Sequence, residues 1–382
     1  MKHEKNFRIC KRCIMDTTAK DIQFDENGIC NYCNEFLLRS GHILEKKSEE
    51  RERERTSLVN EIKKRGTGKS YDCIVGVSGG VDSSWVLVQA VNLGLKPLAV
   101  HMDNGWNSEL AQNNIYNLIQ KLGVDLYTHV IDWTEYRALM QAFFEADVVD
   151  VELLYDNAML AVNYKMAARH GVQFILGGTN QATEGMRMPP DWNWFKFDKR
   201  NIKAIGQKFS KQRLRTFPAM GTFDYIYYEF LKKIHWVSFL DYFDFNKAEA
   251  LKILQNEFSY KPYPYKHYES IFTRFYQGYL LREKFGVDKR KVHFSTLVAA
   301  NQLTREEALR GTEGIAYPSS NDLEDDKKYF LKKMNWSEDD LKRYLARVPK
   351  SHADYPTEKP LWNFLAKMRK KVSGAAENVS PS

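Results

Sequence analysis

The chain has 382 residues, enough for two or three domains with a sizeable core. Hydrophobic residues make up 43% of it, and no apolar run reaches the roughly 18 residues that a membrane-spanning helix needs. The first residues also lack the apolar stretch of a signal peptide, so we expect a cytoplasmic protein without a membrane partner. The formal net charge of +8 favours anionic partners such as nucleotides, phosphates or RNA.

Four of the five cysteines form two Cys-x-x-Cys pairs, Cys10 with Cys13 and Cys30 with Cys33. This spacing favours a tetrahedral zinc site of four thiolates, which leaves no position open for water and predicts a structural role. Disulfides and a labile iron–sulfur cluster are the alternatives. We expect residues 1–40 to form a zinc-binding knuckle. Residues 41–69, in which Glu and Arg alternate, are expected to form a charged helical linker.

Residues 70–180 alternate between predicted strands and predicted helices, and with a further strand near 236–240 they are expected to form one domain over 70–245. This alternation predicts an α/β fold with a doubly wound parallel sheet and helices on both faces. In such sheets ligands bind at the carboxyl ends of the strands, where the strand order switches. The predicted strands are 72–77, 97–102, 126–131, 173–176 and 236–240, and the predicted helices are 82–93, 109–122, 134–144 and 157–170.

The first predicted strand leads into the segment VSGGVDSS at 77–84. Its two glycines allow a sharp turn, and the helix that begins near Asp82 offers unpaired N–H groups to an anion. The Gly-Lys-Ser/Thr ending of a Walker A loop is absent. The segment resembles instead the Ser-Gly-Gly-x-Asp-Ser pyrophosphate loop (PP-loop) of ATP pyrophosphatases, which split ATP between the α and β phosphates and adenylate a substrate oxygen. An ordinary strand–helix turn is the alternative.

This resemblance implies a set of ATP contacts in the loop. Asp82 and Ser83 are the predicted catalytic residues, and Asp82 is also expected to position Mg²⁺ on the β and γ phosphates, because Mg²⁺ prefers one or two carboxylates together with phosphate oxygens. The predicted ATP-binding residues of the loop are Val77, Ser78, Gly79, Gly80, Asp82, Ser83 and Ser84.

Polar residues and glycines also follow two other predicted strands at the same edge. We expect Asn180 to contact the second substrate and Glu184 to be catalytic at the reaction centre. A plain turn after the second strand and a flexible glycine loop after the fourth are the alternatives, and Asp156 is either a helix cap or a functional residue. The further predicted ATP contacts are His101, Asp103, Gly177, Gly178 and Thr179.

Residues 246–382 are predicted to be a helical, basic, substrate-binding region with a disordered tail. Residues 266–291 carry seven Lys or Arg against three acids. Such cations suit a diphosphate, although a solvated basic face is the alternative. The predicted substrate contacts are Lys266, His267, Lys289, Arg290 and Lys291.

Taken together, these motifs resemble the N-acetyl sugar amidotransferase family of the PP-loop superfamily, which acts in the biosynthesis of lipopolysaccharide, O-antigen and flagellar sugars. The resemblance covers most of the chain. It rests on the segments 10–17 (CKRCIMDT), 24–28 (FDENG), 30–33 (CNYC), 78–83 (SGGVDS), 266–270 (KHYES) and 289–291 (KRK).

The resemblance implies an ATP-dependent conversion of an acetamido group into an acetamidino group through an O-adenylated intermediate. The implied partner is a nucleotide-linked N-acetyl sugar and not a nucleic acid, and the implied cofactors are ATP, Mg²⁺ and Zn²⁺. Residue 2 is Lys, which excludes an N-terminal cysteine glutaminase, and Cys73 reads as a packing residue. A separate glutaminase is therefore the expected source of ammonia. A PP-loop tRNA thiolation enzyme and a non-catalytic nucleotide-sensing module are the alternatives.

Overall fold

A computed structural model describes residues 7–263 and 268–373. Its sheet has the order β3-β2-β1-β4-β5, and every neighbouring pair of strands is parallel. The predicted parallel sheet is confirmed, and each strand lies within two residues of its expected position. The strands are Cys73–Gly76 (β1), Pro97–Asp103 (β2), Asp125–Val130 (β3), Phe174–Gly177 (β4) and His235–Ser238 (β5).

Helices fill most of the remaining described residues. Before β5 they are Asn31–Leu44 (α1), Ser48–Gly66 (α2), Val81–Asn92 (α3), Glu109–Leu122 (α4), Trp133–Glu145 (α5), Leu153–Arg169 (α6), Gln181–Glu184 (α7), Lys199–Phe209 (α8) and Thr222–Ile226 (α9). After β5 they are Lys247–Phe258 (α10), Ile271–Phe275 (α11), Leu281–Phe285 (α12), Arg290–Ala299 (α13), Arg305–Gly311 (α14), Ser320–Met334 (α15), Glu338–Ala346 (α16) and Lys359–Ser373 (α17). Two π-helical turns, Tyr227–Leu231 and Tyr276–Leu280, follow α9 and α11, and two 3₁₀ turns occupy Phe239–Tyr242 and His352–Asp354.

The central strand β1 is buried on both faces because its side chains alternate between two hydrophobic clusters. Ile74 belongs to one cluster together with residues of α5 and α6. Cys73 and Val75 belong to the other, which includes residues of α3, α4 and α10. Helices therefore cover both faces, which confirms the doubly wound arrangement.

The strand order switches beside β1. The chain steps outward from β1 to β2 and β3, then returns to pair β4 on the other side of β1. Val75 lies opposite Leu176 in this pairing, so the loops that follow β1 and β4 leave the sheet at the same level. The crevice that such a switch creates is the expected place for a ligand.

The parts of the chain that precede β1 and follow β5 in the sequence are largely helical. The predicted helical C-terminal region is confirmed by α10 to α17. Helix α2 lies within the predicted linker, where Arg51 is buried and its guanidinium donates to the carbonyls of Asp241 and Leu44. Lys266, His267 and the predicted tail at 374–382 lie outside the described residues. Among the helices that the structure describes, none has the length and apolar character needed to cross a membrane.

Candidate functional site

The loop after β1 is held by contacts with α4 and with the segment that follows α10. Gly79 has φ +85°, and a Cβ there would lie 3.0 Å from the carbonyl oxygen of Ala111, so the position requires glycine. The hydroxyls of Tyr260 and Tyr263 both donate to the carbonyl oxygen of Gly79, at 2.8 and 3.0 Å. These contacts hold the turn that leads into the start of α3.

Hydrogen bonds between serines shape the inside of the loop. The hydroxyl of Ser83 lies 3.2 Å from that of Ser78 and accepts from the Ser78 N–H at 3.3 Å. The hydroxyl of Ser78 in turn accepts from the N–H of Gly80. Ser84 is buried, and its N–H donates to the carbonyl oxygen of Gly80 as part of the first helical turn. These hydrogen bonds stabilise the loop that leads into the first turn of α3, where unpaired helix N–H groups suit an anion.

His101 lies behind the loop. Burial lowers the pKa of its imidazole, so the ring is neutral at pH 7. Nδ1 lies 2.9 Å from the carbonyl oxygen of Val77, and Nε2 lies 3.0 Å from the amide nitrogen of Asn107. Nδ1 therefore carries the proton and donates to Val77, while Nε2 accepts from Asn107. The neighbouring Asp103 accepts from the N–H of Gly105 in a turn.

The loop after β4 packs directly against the loop after β1. A Cβ at Gly178 would lie 3.0 Å from the backbone nitrogen of Ser83, so this close approach requires glycine. Gly177 packs against the indole of Trp236 on β5. Thr179 lies 3.5 Å from the hydroxyl of Ser238. The structure thus brings together the two glycine-containing loops that the sequence placed at one edge.

Asn180 caps α7. Its Oδ1 accepts from the N–H of Thr183 at 2.9 Å, and its Nδ2 donates to the carbonyl oxygen of Gly178 at 3.0 Å. The side chain is buried, so its observed contacts are those of a helix cap. Glu184 ends the same short helix, and its charge helps to raise the pKa of Lys247.

Lys247 is the main site residue that the sequence prediction missed. Its Nζ lies 2.9 Å from Oδ2 of Asp82. Burial alone would lower the pKa of the Lys247 ammonium, but the Asp82 carboxylate outweighs this and the pKa is raised. The residue comes from the first turn of α10, 165 positions after Asp82, and no local motif marks it. Glu269, whose carboxylate lies near Gly80, is a second contact that was not assigned.

Asp82 provides a test of whether Mg²⁺ fits here. Its Oδ2 is bonded to Lys247, whereas its Oδ1 is buried and has no hydrogen-bond partner among the described residues. A buried carboxylate oxygen without a donor is unfavourable unless a ligand completes it. A hard cation that prefers carboxylate and phosphate oxygens fits this atom, and Asp82 is the residue that would hold it.

The three predicted substrate cations near residue 290 each have a carboxylate partner. Lys289 pairs with Glu152 at 2.7 Å, and both side chains are buried. Arg290 pairs with Asp288 at 2.8 Å. Lys291 pairs with Asp16 of the N-terminal region at 2.5 Å. Their contact with a substrate remains a prediction.

Lys289 belongs to a group of titratable side chains that are buried apart from the half-buried Asp156. We call this group the buried charge cluster and define it as Asp150, Glu152, Asp156, Lys196, Lys289 and His352. Nζ of Lys196 lies 2.8 Å from carboxylate oxygens of both Asp150 and Asp156. Burial alone would raise the pKa of Asp150, but Lys196 and Lys289 outweigh it and lower this pKa to about 2. Asp156 differs, because burial and its acidic neighbours raise its pKa.

The four N-terminal cysteines converge as predicted. Their sulfurs lie within 4.8 Å of one another and are buried, and the Sγ–Sγ distances are 3.9 Å for Cys10 and Cys33 and 3.7 Å for Cys13 and Cys30. These distances exclude a disulfide. They match the roughly 3.8 Å edge of a tetrahedron with Zn–S bonds of 2.3 Å. The residues therefore fit a four-thiolate zinc ion.

The knuckle connects the two regions that flank the crevice. On one side Arg305 donates to the carbonyl oxygens of Cys10 and Cys13. On the other side Ser40 of α1 donates to Gln181 at 2.5 Å, and Arg187 pairs with Glu35 at 2.8 Å. An ion held by the cysteines would stabilise both the loop after β4 and the C-terminal helices.

Two family models match different parts of the chain. A family model described as NAD synthase matches residues 51–187, which include β1, its loop and β4. A second model, described as LPS biosynthesis protein WbpG-like, C-terminal domain, matches residues 269–369. No curated protein matches the chain.

Three solved structures are similar to parts of the chain. A predicted subunit of tRNA methyltransferase from Methanocaldococcus jannaschii is 14% identical, with a TM-score of 0.28, and the match covers 48% of this chain and 75% of that one. NMN synthetase from Francisella tularensis is 15% identical, with a TM-score of 0.29 and coverage of 59% and 100%. NH3-dependent NAD synthetase from Campylobacter jejuni subsp. jejuni is 14% identical, with a TM-score of 0.30 and coverage of 70% and 98%.

The parallel sheet, the glycine loop at its switch point and the NAD synthase match define the class, which is an ATP-utilising PP-loop enzyme of the C–N ligase type. The lipopolysaccharide-biosynthesis match adds the C-terminal region to this assignment. These two matches support the N-acetyl sugar amidotransferase family that the sequence resemblance predicted.

Proposed function

We propose that this protein replaces the acetamido oxygen of a nucleotide-linked N-acetyl sugar with nitrogen at the expense of ATP. The acetamido oxygen attacks the α phosphorus, pyrophosphate leaves, and an O-adenylated imidate forms. Ammonia then attacks the imidate carbon, AMP leaves, and the amidine remains as its protonated cation. The observation that carries the proposal is Asp82, with one oxygen on Lys247 and the other unpartnered within the described chain, at the first turn of the helix after the Ser-Gly-Gly loop.

The residues of the crevice have distinct roles in this proposal. The N–H groups of the loop and the start of α3 bind the β and γ phosphates, which become the leaving pyrophosphate. Lys247 lies beside them and stabilises negative charge as it develops on the phosphate oxygens. Mg²⁺ held by Asp82 would supply further charge neutralisation on the same phosphates. Tyr260, Tyr263 and His101 are positioning residues that hold the loop backbone.

The source of ammonia in this proposal is a separate glutaminase. The four knuckle cysteines are buried around one point, and Cys73 is fully buried in β1. Burial raises the pKa of the Cys73 thiol well above its usual value, which suits neither a glutaminase nucleophile nor a sulfur carrier. The same observation favours amidation over tRNA thiolation.

The test is incubation of the purified chain with ATP, an ammonium salt and a panel of uridine-, guanosine- and thymidine-diphosphate N-acetyl sugars. Mass spectrometry should detect replacement of one oxygen by NH, with one AMP and one pyrophosphate per product. Asp82→Asn should lower the rate about 100- to 1,000-fold, because the carboxylate that pairs with Lys247 and would hold Mg²⁺ on the phosphates is lost. Asp339→Asn, at an exposed ion pair on α16, is the matched control and should keep full activity. Release of pyrophosphate without any product in which NH has replaced the acetamido oxygen would overturn the amidation.

A further inference from the structure

A second basic region, longer than the one near residue 290, lies at 199–216, and we call it the basic segment. It carries seven Lys or Arg and no acidic residue. Lys199 pairs with Asp224 at 2.9 Å. The other six have no ion pair within the described residues, and they are Arg200, Lys203, Lys208, Lys211, Arg213 and Arg215.

The C-terminal end of the basic segment is anchored at the carboxyl edge of the sheet. Glu135, in the first turn of α5 after β3, accepts from the N–H groups of Arg215, Thr216 and Phe217 at 2.8 to 3.0 Å. Three residues further on, Met220 exchanges two hydrogen bonds with the side chain of Asn157 near the start of α6. The chain between these anchors therefore runs along the same edge that carries the crevice.

Aromatic contacts connect this edge to the strand next to the loop. Phe217 stacks on Tyr136, with ring centroids 6.2 Å apart. The hydroxyl of Tyr136 accepts from Asn104, which directly follows β2. Since β3 lies two strands from β1, the end of β3 is about 10 Å to the side of the loop after β1. A nucleotide-linked sugar is long enough to span this distance.

We infer that the basic segment binds the diphosphate of the nucleotide-linked sugar, through Lys211, Arg213 and Arg215. This inference rests on the proposed function for the identity of the ligand. The three side chains are exposed, and exposed like charges that repel one another favour a bound dianion. Arg is suited to phosphate because its guanidinium donates two parallel hydrogen bonds. The cations at 289–291, by contrast, are already neutralised by Glu152, Asp288 and Asp16.

The experiment is equilibrium titration of the full chain with UDP, GDP and dTDP, each free and linked to an N-acetyl sugar, and separately with ATP. Replacing Lys211, Arg213 and Arg215 together by Gln should weaken the best-bound nucleoside diphosphate at least about tenfold, because each charge-assisted bond is worth that much. The affinity for ATP should stay the same. Glu135→Gln should weaken the same ligand less, because it loosens the anchor and keeps the cations.

A matched control separates this site from a general loss of charge. Lys64, Lys328 and Lys332 are exposed lysines on α2 and α15, and replacing all three by Gln removes the same charge. This variant should bind both ligands as the wild type does. Unchanged nucleoside diphosphate affinity in the 211/213/215 variant would overturn the inference and leave the segment as a surface for an acidic protein. Failure of every diphosphate in the panel to bind the wild type would also overturn the inference. Failure of the wild type to bind ATP or to release pyrophosphate would instead contradict the proposed function.

Discussion

Two positively charged regions of this chain differ in what surrounds them. The cations at 289–291 are paired with carboxylates, and two of those partners lie 137 and 275 residues away in the sequence. The basic segment at 199–216 has one ion pair, and the structure shows none for its other six cations within the described residues. A count of charges along a sequence therefore does not reveal which cations are available to a ligand. Availability depends on whether the fold brings an acid to them.

The first test of this comparison varies the pH. Acid should lower the free energy of unfolding through the buried charge cluster, whereas the basic segment stays charged and should not contribute. Burial lowers the pKa of His352 to about 3. Its Nδ1 lies 2.8 Å from Oδ1 of Asn201, and its Nε2 accepts from the N–H of Asp150, so a second ring proton has no acceptor. The unfolded chain takes up this proton near pH 6.5 and the folded chain does not. The free energy of unfolding should therefore fall by about 5 kcal/mol as the pH drops from 6.5 to 3.

The measurement is urea unfolding of the wild type and of His352→Gln between pH 7 and pH 4. Gln keeps one donor and one acceptor but does not titrate, so the variant should lose less stability than the wild type over this range. The same titration of Arg213→Gln should follow the wild-type curve, because guanidinium groups stay charged throughout. Equal slopes for wild type and His352→Gln would contradict the assignment of the acid response to this ring.

The second comparison removes one cation from each region. Lys289→Met leaves the Glu152 carboxylate buried with Gln277 as its one remaining side-chain donor among the described residues. Breaking a buried pair in this way costs about 3–5 kcal/mol of unfolding free energy. Denaturant unfolding at pH 7 gives the value, and the double variant Glu152→Gln/Lys289→Met should recover a large part of it. A loss below about 1 kcal/mol would mean that the pair is solvated and that Lys289 is as available as the cations of the basic segment.

Local sequence patterns were sufficient for the sheet and for the position of the crevice. The strands follow from short apolar runs, and the crevice follows from glycines after β1 and β4, since both signals lie within a few neighbouring residues. The cysteine spacing likewise predicted the convergence of four sulfurs. Lys247, Tyr260 and Tyr263 were missed because they reach the loop from α10 and the segment after it, and only tertiary packing brings them there. The same holds for the acidic partners of the cations at 289–291.

Metal removal offers a third contrast. The cations at 289–291 and their helix α13 contact the knuckle, whereas the basic segment has no described contact with it. Lys291 pairs with Asp16, and Ser295 of α13 accepts from the N–H of Ile14. Chelation should therefore speed amide exchange in α13 about tenfold, since the knuckle depends on four thiolates that an ion holds together. Exchange at 203–209 of α8 should not change. Hydrogen–deuterium exchange with and without a chelator measures both, and uniform exchange changes in α8 and α13 would contradict the coupling.

The smallest expected effect is on the stability of the basic segment itself. Arg213 is exposed and makes no ion pair within the described residues, so Arg213→Gln removes a charge without uncovering a buried carboxylate. Surface substitutions of this kind stay within about 0.5 kcal/mol of the wild type. Relief of repulsion from Lys211 and Arg215 should even make the change slightly stabilising at low salt, and this gain should vanish at high salt as the charges are screened. Denaturant unfolding at two salt concentrations tests both points. A loss above about 1 kcal/mol would show that Arg213 is held by an acidic partner, and the contrast with Lys289 would then disappear.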